Sequence, residues 1–120
     1  ASTAFQFQAM FDAGAVDFAQ PSVTKVGGIT EFQKIAALAE TAGVQIMAHS
    51  PYFGPGFLAT LQLAGAMPNP GLIERFYARL EGNLMGHWVD PKEGYFHIPD
   101  GPGLGADPDP EVIAAFRVDR

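Results

Sequence analysis

The chain has 120 residues, of which 14 are glycine and 10 are proline, and it contains no cysteine. The 13 acidic side chains outnumber the 7 lysines and arginines and give a net charge of −6. This charge disfavours nucleic acid and anionic membrane surfaces as partners, because both select for basic patches. Without cysteine there are no disulfides or thiolate sites, and no apolar run is long enough to span a membrane. We therefore expect a cytoplasmic globular protein.

The first predicted element is a helix over residues 3–12, because Phe7 and Phe11 recur at helical spacing. A short apolar-rich run follows at residues 15–20 and stops at Pro21, which cannot donate a hydrogen bond to a sheet. This run predicts a strand.

A second helix and a second strand follow. Thr30 and Gln33 form a capping box, and small apolar residues then recur at helical spacing until Gly43 stops the helix. Residues 44–48 predict a strand, and a strand, helix and strand joined by short loops indicate a crossover in a parallel sheet. His49 therefore lies just past the carboxyl end of its strand, where α/β barrels place their active sites.

The remainder of the chain is less regular. Residues 57–67 predict a helix that is apolar on all sides, and therefore buried, and that ends at Pro68. Residues 72–76 predict a third, shorter strand. Glycine and proline concentrate in the irregular segments 50–56, 68–71 and 91–110.

Length limits the architecture. A closed barrel of eight strand–helix units takes about 250 residues, so three parallel strands cannot close one. An open sheet of three strands would leave two edges unpaired. We therefore expect one α/β domain over residues 1–120, including an irregular tail at 91–120, that is a piece of a larger fold. A small doubly wound domain is the alternative.

Three motifs carry a family resemblance. They are residues 14–30, which end in Gly27-Gly28-Ile29-Thr30; residues 44–49; and residues 98–105, Ile-Pro-Asp-Gly-Pro-Gly-Leu-Gly. In this order and spacing the chain resembles the mandelate racemase subgroup of the enolase superfamily, within the mandelate racemase/muconate lactonizing enzyme family. The resemblance covers essentially the whole chain. It implies the C-terminal part of a TIM-like (β/α)7β barrel, about strands six to eight with their helices.

The resemblance also implies a reaction. Such enzymes bind Mg²⁺ and remove the proton α to the carboxylate of a hydroxylated acid, forming an enediolate. The metal ligands would precede Ala1, so we expect none in this chain, and its partners would be a small hydroxy-carboxylate substrate, the remaining N-terminal part of the enzyme and further copies in a homo-oligomer. Dehydration of an acid sugar is the leading reaction, with racemisation, epimerisation or cycloisomerisation as alternatives. A non-catalytic fragment and a self-contained α/β binding module are the other possibilities.

By this resemblance, three residues have defined roles. His49 matches the histidine that acts as general acid or base, and the alternative is a hydrogen-bonded strand-end histidine without a role. Glu74 matches a glutamate on the eighth strand that hydrogen-bonds the substrate carboxylate or the enediolate; the alternative is an ion pair with Arg75. Ser22 stands where the subgroup usually has an aspartate paired with the histidine. A serine can orient the imidazole but brings no charge.

Other polar residues near these positions are candidates for substrate binding. Lys25 is expected at the barrel rim, pairing with an acidic neighbour or with a substrate carboxylate. Ser50 and Tyr52 follow His49 in a loop over the site, so they are expected specificity contacts, with loop packing as the alternative. His87 and His97 lack the spacing of metal ligands and are expected on the surface.

Overall fold

A computed structural model describes residues 1–68 and 70–118 of the chain. Asn69, within the predicted irregular segment 68–71, and the last two residues of the 91–120 tail lie outside the described residues. In chain order the elements are α1 (Ala4–Asp12), β1 (Phe18–Ala19), α2 (Ile29–Ala42), β2 (Gln45–Ile46), α3 (Pro55–Ala66), a 3₁₀ helix (Gly86–Val89) and α4 (Pro110–Phe116). Among these helices none has the length and apolarity needed to cross a membrane.

The two strands form a parallel sheet, with Ala19 opposite Ile46. Backbone bonds continue this ladder past the strands, from Met47 N to the Ala19 carbonyl (2.9 Å) and from His49 N to the Pro21 carbonyl (3.1 Å). The predicted strand, helix and strand are therefore present, and the carboxyl ends of both strands lie side by side.

The helix ends follow from local sequence. Thr3 caps α1 with its side chain, and Gly43 ends α2 in the left-handed conformation (φ 69°) that glycine adopts without steric cost. The predicted capping box at Thr30 is wrong, because α2 begins at Ile29, two residues before the start that an N-cap at Thr30 implies. Its N-cap is Gly28, which has no side chain to accept a hydrogen bond.

A carboxylate joins the two N-terminal helices. Glu31 Oε1 accepts from the backbone N–H of Ala4 (3.3 Å), and Glu31 Oε2 pairs with Lys34 Nζ (3.0 Å). The Lys34 ammonium, and then the Ala4 N–H, lower the pKa of Glu31 below its ordinary value of 4.5 because both stabilise the charged carboxylate.

The buried side chains form two clusters. We name as the first core the cluster in which α1, α2 and both strands pack together, and as the second core the cluster in which α3 packs against the 3₁₀ helix. Helix α3 contributes to both and is buried on most sides, as predicted. The first core contains Phe7, Phe11, Ala19, Val23, Val26, Phe32, Ile35, Ala39, Ile46, Ala48, Ala59 and Leu63, and the second contains Phe57, Leu58, Leu61, Met85 and Val89.

The predicted third strand at residues 72–76 is wrong. The sheet is extended by a single parallel bridge between Pro70 and Ile46, with Gly71 N donating to the Ile46 carbonyl (2.9 Å). The apolar residues of this segment do not form a buried strand face, since Leu72 is 76% exposed. The chain therefore touches the sheet edge and then leaves it.

The predicted irregular tail contains one short helix. Asp109 caps α4 by accepting hydrogen bonds from the N–H groups of Glu111 (2.8 Å) and Val112 (3.4 Å), and Pro110 occupies the first turn. Aspartate followed by proline is a helix start signal, so this element was readable from the sequence.

Candidate active site

His49 lies at the carboxyl edge of the sheet. Its backbone N–H bonds to the carbonyl of Pro21, the residue two positions beyond β1, and its side chain is about one-third exposed. The turn that follows Pro21 carries Ser22 and Lys25 toward the same edge. Three of the residues selected from the sequence therefore lie together where parallel α/β folds bind ligands.

The imidazole of His49 is paired with a carboxylate. Nδ1 lies 2.7 Å from Glu74 Oε2, and the same oxygen accepts the backbone N–H of Ser50 at 3.1 Å. The alternative partner, Arg75, bonds instead to Asp90 at 2.6 Å. Residues 25 positions apart thus form one acid–imidazole pair.

The pairing fixes the two ring nitrogens of His49. An ionised carboxylate only accepts hydrogen bonds, so we assign the proton to Nδ1, which donates to Glu74. Nε2 then carries a lone pair in the neutral ring, and Lys25 Nζ lies 3.4 Å from it. Ammonium, imidazole and carboxylate form a row that we name the Lys25–His49–Glu74 array.

Ser22 serves the backbone of His49 rather than its ring. The buried Ser22 hydroxyl lies 2.9 Å from the Tyr52 hydroxyl and 3.1 Å from that of Thr24. Tyr52 in turn donates to the His49 carbonyl (2.9 Å). Both ring nitrogens of His49 have other partners, so the expected serine–imidazole bond does not form, because the short side chain meets the intervening Tyr52 hydroxyl first.

Ser50 connects the two halves of the site. Its side chain is fully buried, and its hydroxyl donates to the backbone carbonyl of Glu74 at 2.7 Å. In this structure the side chain offers no exposed atom for the substrate contact expected of it. Its hydrogen bonds hold Glu74 beside His49 instead.

Arg75, considered from the sequence only as an ion-pair partner of Glu74, has a different role in the structure. Its guanidinium donates to the carbonyls of Val89 (3.0 Å) and Ala78 (3.3 Å) as well as to Asp90, and it lies 5.3 Å from the ring centre of Phe53. These bonds hold the segment that carries Glu74 against the 3₁₀ helix. No motif or spacing signals this role.

Within residues 1–68 and 70–118, no group of three or more histidine, aspartate or glutamate side chains could hold a metal ion. The carboxylate at the site, Glu74, is already engaged by His49 and Ser50. His87 and His97 are exposed, as predicted.

The sequence of the chain is similar to a known protein family and to individual enzymes. Residues 1–112 match the model of the family described as enolase C-terminal domain-like. The D-galactarolactone cycloisomerase of Agrobacterium fabrum is 34% identical over 116 residues, covering 88% of this chain and 31% of the relative. The D-gluconate dehydratase of Thermoproteus tenax is 30% identical over 109 residues, covering 88% of this chain and 22% of the relative.

Solved structures share the fold. A mandelate racemase/muconate lactonizing enzyme from Sulfitobacter sp. superposes with a TM-score of 0.82 at 30% identity, covering 96% of this chain and 29% of that one. An enolase from Pantoea ananatis with bound D-gluconate and Mg superposes with a TM-score of 0.77 at 29% identity, covering 93% and 28%. The chain thus spans about a third or less of these proteins. The expected α/β fold, a C-terminal barrel portion, is confirmed, and the chain belongs to the enolase C-terminal domain-like family of the enolase superfamily.

Proposed function

We propose that this chain supplies the His49 side of an active site that removes the α-proton of a hydroxy-carboxylate, and that the overall reaction is dehydration of an acid sugar. The observation that carries the proposal is the 2.7 Å pairing of His49 Nδ1 with Glu74 at the carboxyl edge of the sheet. This pairing occupies Nδ1 and leaves Nε2, which lies beside Lys25, as the nitrogen proposed to face the substrate.

The array suits an acid step. In a dehydration, the α C–H bond gives its proton to a base, the electron pair moves into the carbon skeleton, and the β C–O bond breaks as the hydroxyl takes a proton and leaves as water. Protonated His49 can donate that proton from Nε2, because an imidazolium carries an N–H donor on each ring nitrogen. The base is assigned to a part of the enzyme outside this chain.

Lys25 is proposed to bind the carboxylate of the substrate. Its exposed ammonium, 3.4 Å from Nε2, carries the charge that a substrate carboxylate would pair with. Such pairing would draw the ammonium away from Nε2 and free this nitrogen for proton transfer. Tyr52, partly exposed in the loop that follows His49, is the proposed specificity contact.

The known relatives support an acid-sugar substrate. One of the two is a D-gluconate dehydratase, and one solved neighbour holds D-gluconate with Mg. The parent enzyme is therefore proposed to use Mg²⁺, with ligands outside the described residues. The N-terminal part of the enzyme is needed to complete the sheet. We include a homo-oligomeric state in the proposal and expect the 120-residue chain alone to be inactive.

Cycloisomerisation is the second candidate, because the Agrobacterium fabrum relative is a cycloisomerase. Racemisation and epimerisation share the same proton abstraction. In these reactions His49 would exchange a proton with the α-carbon itself rather than with a leaving hydroxyl.

The test uses the full-length enzyme that contains this chain, screened against acid sugars with Mg²⁺ in D₂O. Dehydration predicts a 2-keto acid product by ¹H NMR, whereas racemisation predicts deuterium at an inverted α-carbon. His49→Asn is expected to lower turnover by about 10²-fold or more, the usual value of general acid–base catalysis.

His97→Asn is the matched control, because that histidine is exposed and lies outside the array. It should leave turnover unchanged. Turnover of His49→Asn within about twofold of the parent would contradict the role of His49.

A further inference from the structure

We infer that Glu74 is a positioning residue for His49, whose carboxylate fixes the tautomer and the orientation of the imidazole in place of the acidic partner that Ser22 does not provide. The inference rests on the proposed role of His49. It assigns Glu74 a different task from direct contact with the substrate.

The hydrogen bonds of the Glu74 carboxylate are the first argument. Oε2 accepts two N–H donors, His49 Nδ1 at 2.7 Å and Ser50 N at 3.1 Å. Oε2 acts as an acceptor in both contacts, so this oxygen is already engaged by the His49–Ser50 segment. To hydrogen-bond a substrate carboxylate, Glu74 would need to carry a proton on Oε1. Left ionised, it would repel the substrate's negative charge.

The anchoring of Glu74 is the second argument. Its backbone carbonyl accepts the buried Ser50 hydroxyl at 2.7 Å, so the main chain and the side chain of Glu74 are both held by the His49–Ser50 segment. Arg75, the next residue, fixes the other side through Val89 and Asp90. Because these hydrogen bonds already hold the carboxylate in place, Glu74 can keep the imidazole of His49 in one orientation.

The third argument is that the hydroxyl of Ser22 is already used by other side chains. Ser22 is 4% exposed, and its hydroxyl is used by Tyr52 and Thr24. It has no bond to the His49 ring. The Glu74 carboxylate occupies the Nδ1 side of that ring, opposite to Lys25 at Nε2.

The kinetic test is Glu74→Gln in the full-length enzyme. A positioning role predicts that kcat falls by about 10-fold to 100-fold, as is typical when a partner that orients a catalytic ligand is removed, while KM stays within about twofold. A role in binding the substrate predicts that KM rises, and that result would overturn the inference. Glu40→Gln, an exposed carboxylate on α2, is the matched control.

The spectroscopic test needs no turnover. In protein labelled with ¹⁵N-histidine and free of substrate, the His49 signals are assigned by their loss in His49→Asn. The amide of Glu74→Gln can donate to Nδ1, so the proton is expected to move to Nε2 and the two ¹⁵N shifts to exchange. Unchanged His49 shifts would overturn the inference, while unchanged His87 and His97 shifts would show that the variant is folded.

A second variant guards against misfolding. Glu74→Ala offers neither donor nor acceptor, and it is expected to leave His49 as a mixture of tautomers with KM unchanged. Because the ¹⁵N shifts are read without substrate, an enzyme inactive on every acid sugar would refute the proposed function and still decide the role of Glu74.

Discussion

Residues 1–68 and residues 70–118 are built in different ways. The first region contains both strands and the three longer helices, joined by backbone ladders. The second contains a 3₁₀ helix and α4, which buries no side chain. The second region meets the first through the backbone bridge at Pro70–Gly71 and through contacts of individual side chains. Gln62 on α3, for example, donates to the carbonyls of Pro99 (2.7 Å) and Leu104 (3.3 Å).

The two residues of the acid–imidazole pair come from different regions. His49 belongs to the regular region, where the sheet fixes its position, whereas Glu74 belongs to the irregular region and is fixed by Ser50 and Arg75. The chemistry proposed here therefore requires both regions to be folded, although the first could be recognised from sequence far more easily than the second.

The largest effect on stability is expected from a substitution in the core of the first region. Phe32 on α2 is fully buried in the first core. Phe32→Ala should lower the free energy of unfolding by about 3–5 kcal/mol, through lost burial and the cavity left behind. Urea denaturation measures this, with Phe5→Ala, an 87% exposed position, as the control expected to stay within about 0.5 kcal/mol. Equal losses in the two variants would contradict the assignment of the first core.

A smaller and more local effect is expected in the second region. Met85 is 2% exposed and packs in the second core. Met85→Ala should cost about 2 kcal/mol, the lower end for such truncations. Amide hydrogen exchange should quicken around the 3₁₀ helix while α1 and α2 keep their protection. Loss of protection in all of these helices would mean that the two regions open as one unit.

The smallest effect is expected on the way in which the stability of the first region changes at acidic pH. The pKa of Glu31 is lowered in the folded chain, so its bonds to Lys34 and Ala4 add stability above about pH 4.5, and this contribution is lost as pH falls through the lower folded pKa. Glu31→Gln should therefore flatten the pH dependence of the unfolding free energy below pH 4.5. Thermal melts between pH 3 and pH 6 would test this; parallel curves for both proteins would refute it.

Local signals predicted much of the fold. Helical spacing, Pro21 and Gly43 located three helices and both strands, because each of these signals acts within a few residues. The strand predicted at 72–76 failed because its pattern carries no information about whether a partner edge is within reach. The Asp109–Pro110 start of α4 was a local signal that was overlooked.

The candidate site was predicted less completely. The position of His49 followed from the strand order, whereas its pairing with Glu74 depends on where the chain returns after α3. The links from Ser22 through Tyr52 to the His49 carbonyl, and from Arg75 to the 3₁₀ helix, join residues that share no motif. Such contacts are set by tertiary packing, which local patterns do not encode.

The path of the chain from His49 through α3 to Glu74 determines where insertions and deletions can occur without moving Glu74. After His49 the chain runs through the 12 residues of α3, about 18 Å, and meets the sheet again beside Ile46 before it reaches Glu74. Insertions between α3 and Pro70 leave the distance from Gly71 to Glu74 intact. One residue gained or lost between Gly71 and Glu74 shifts the carboxylate by about 3.3 Å and separates it from the imidazole. Descendants of this sequence can thus vary in length before Pro70, whereas a change of one residue between Gly71 and Glu74 would bring Ile73 or Arg75 to His49 in place of the acid.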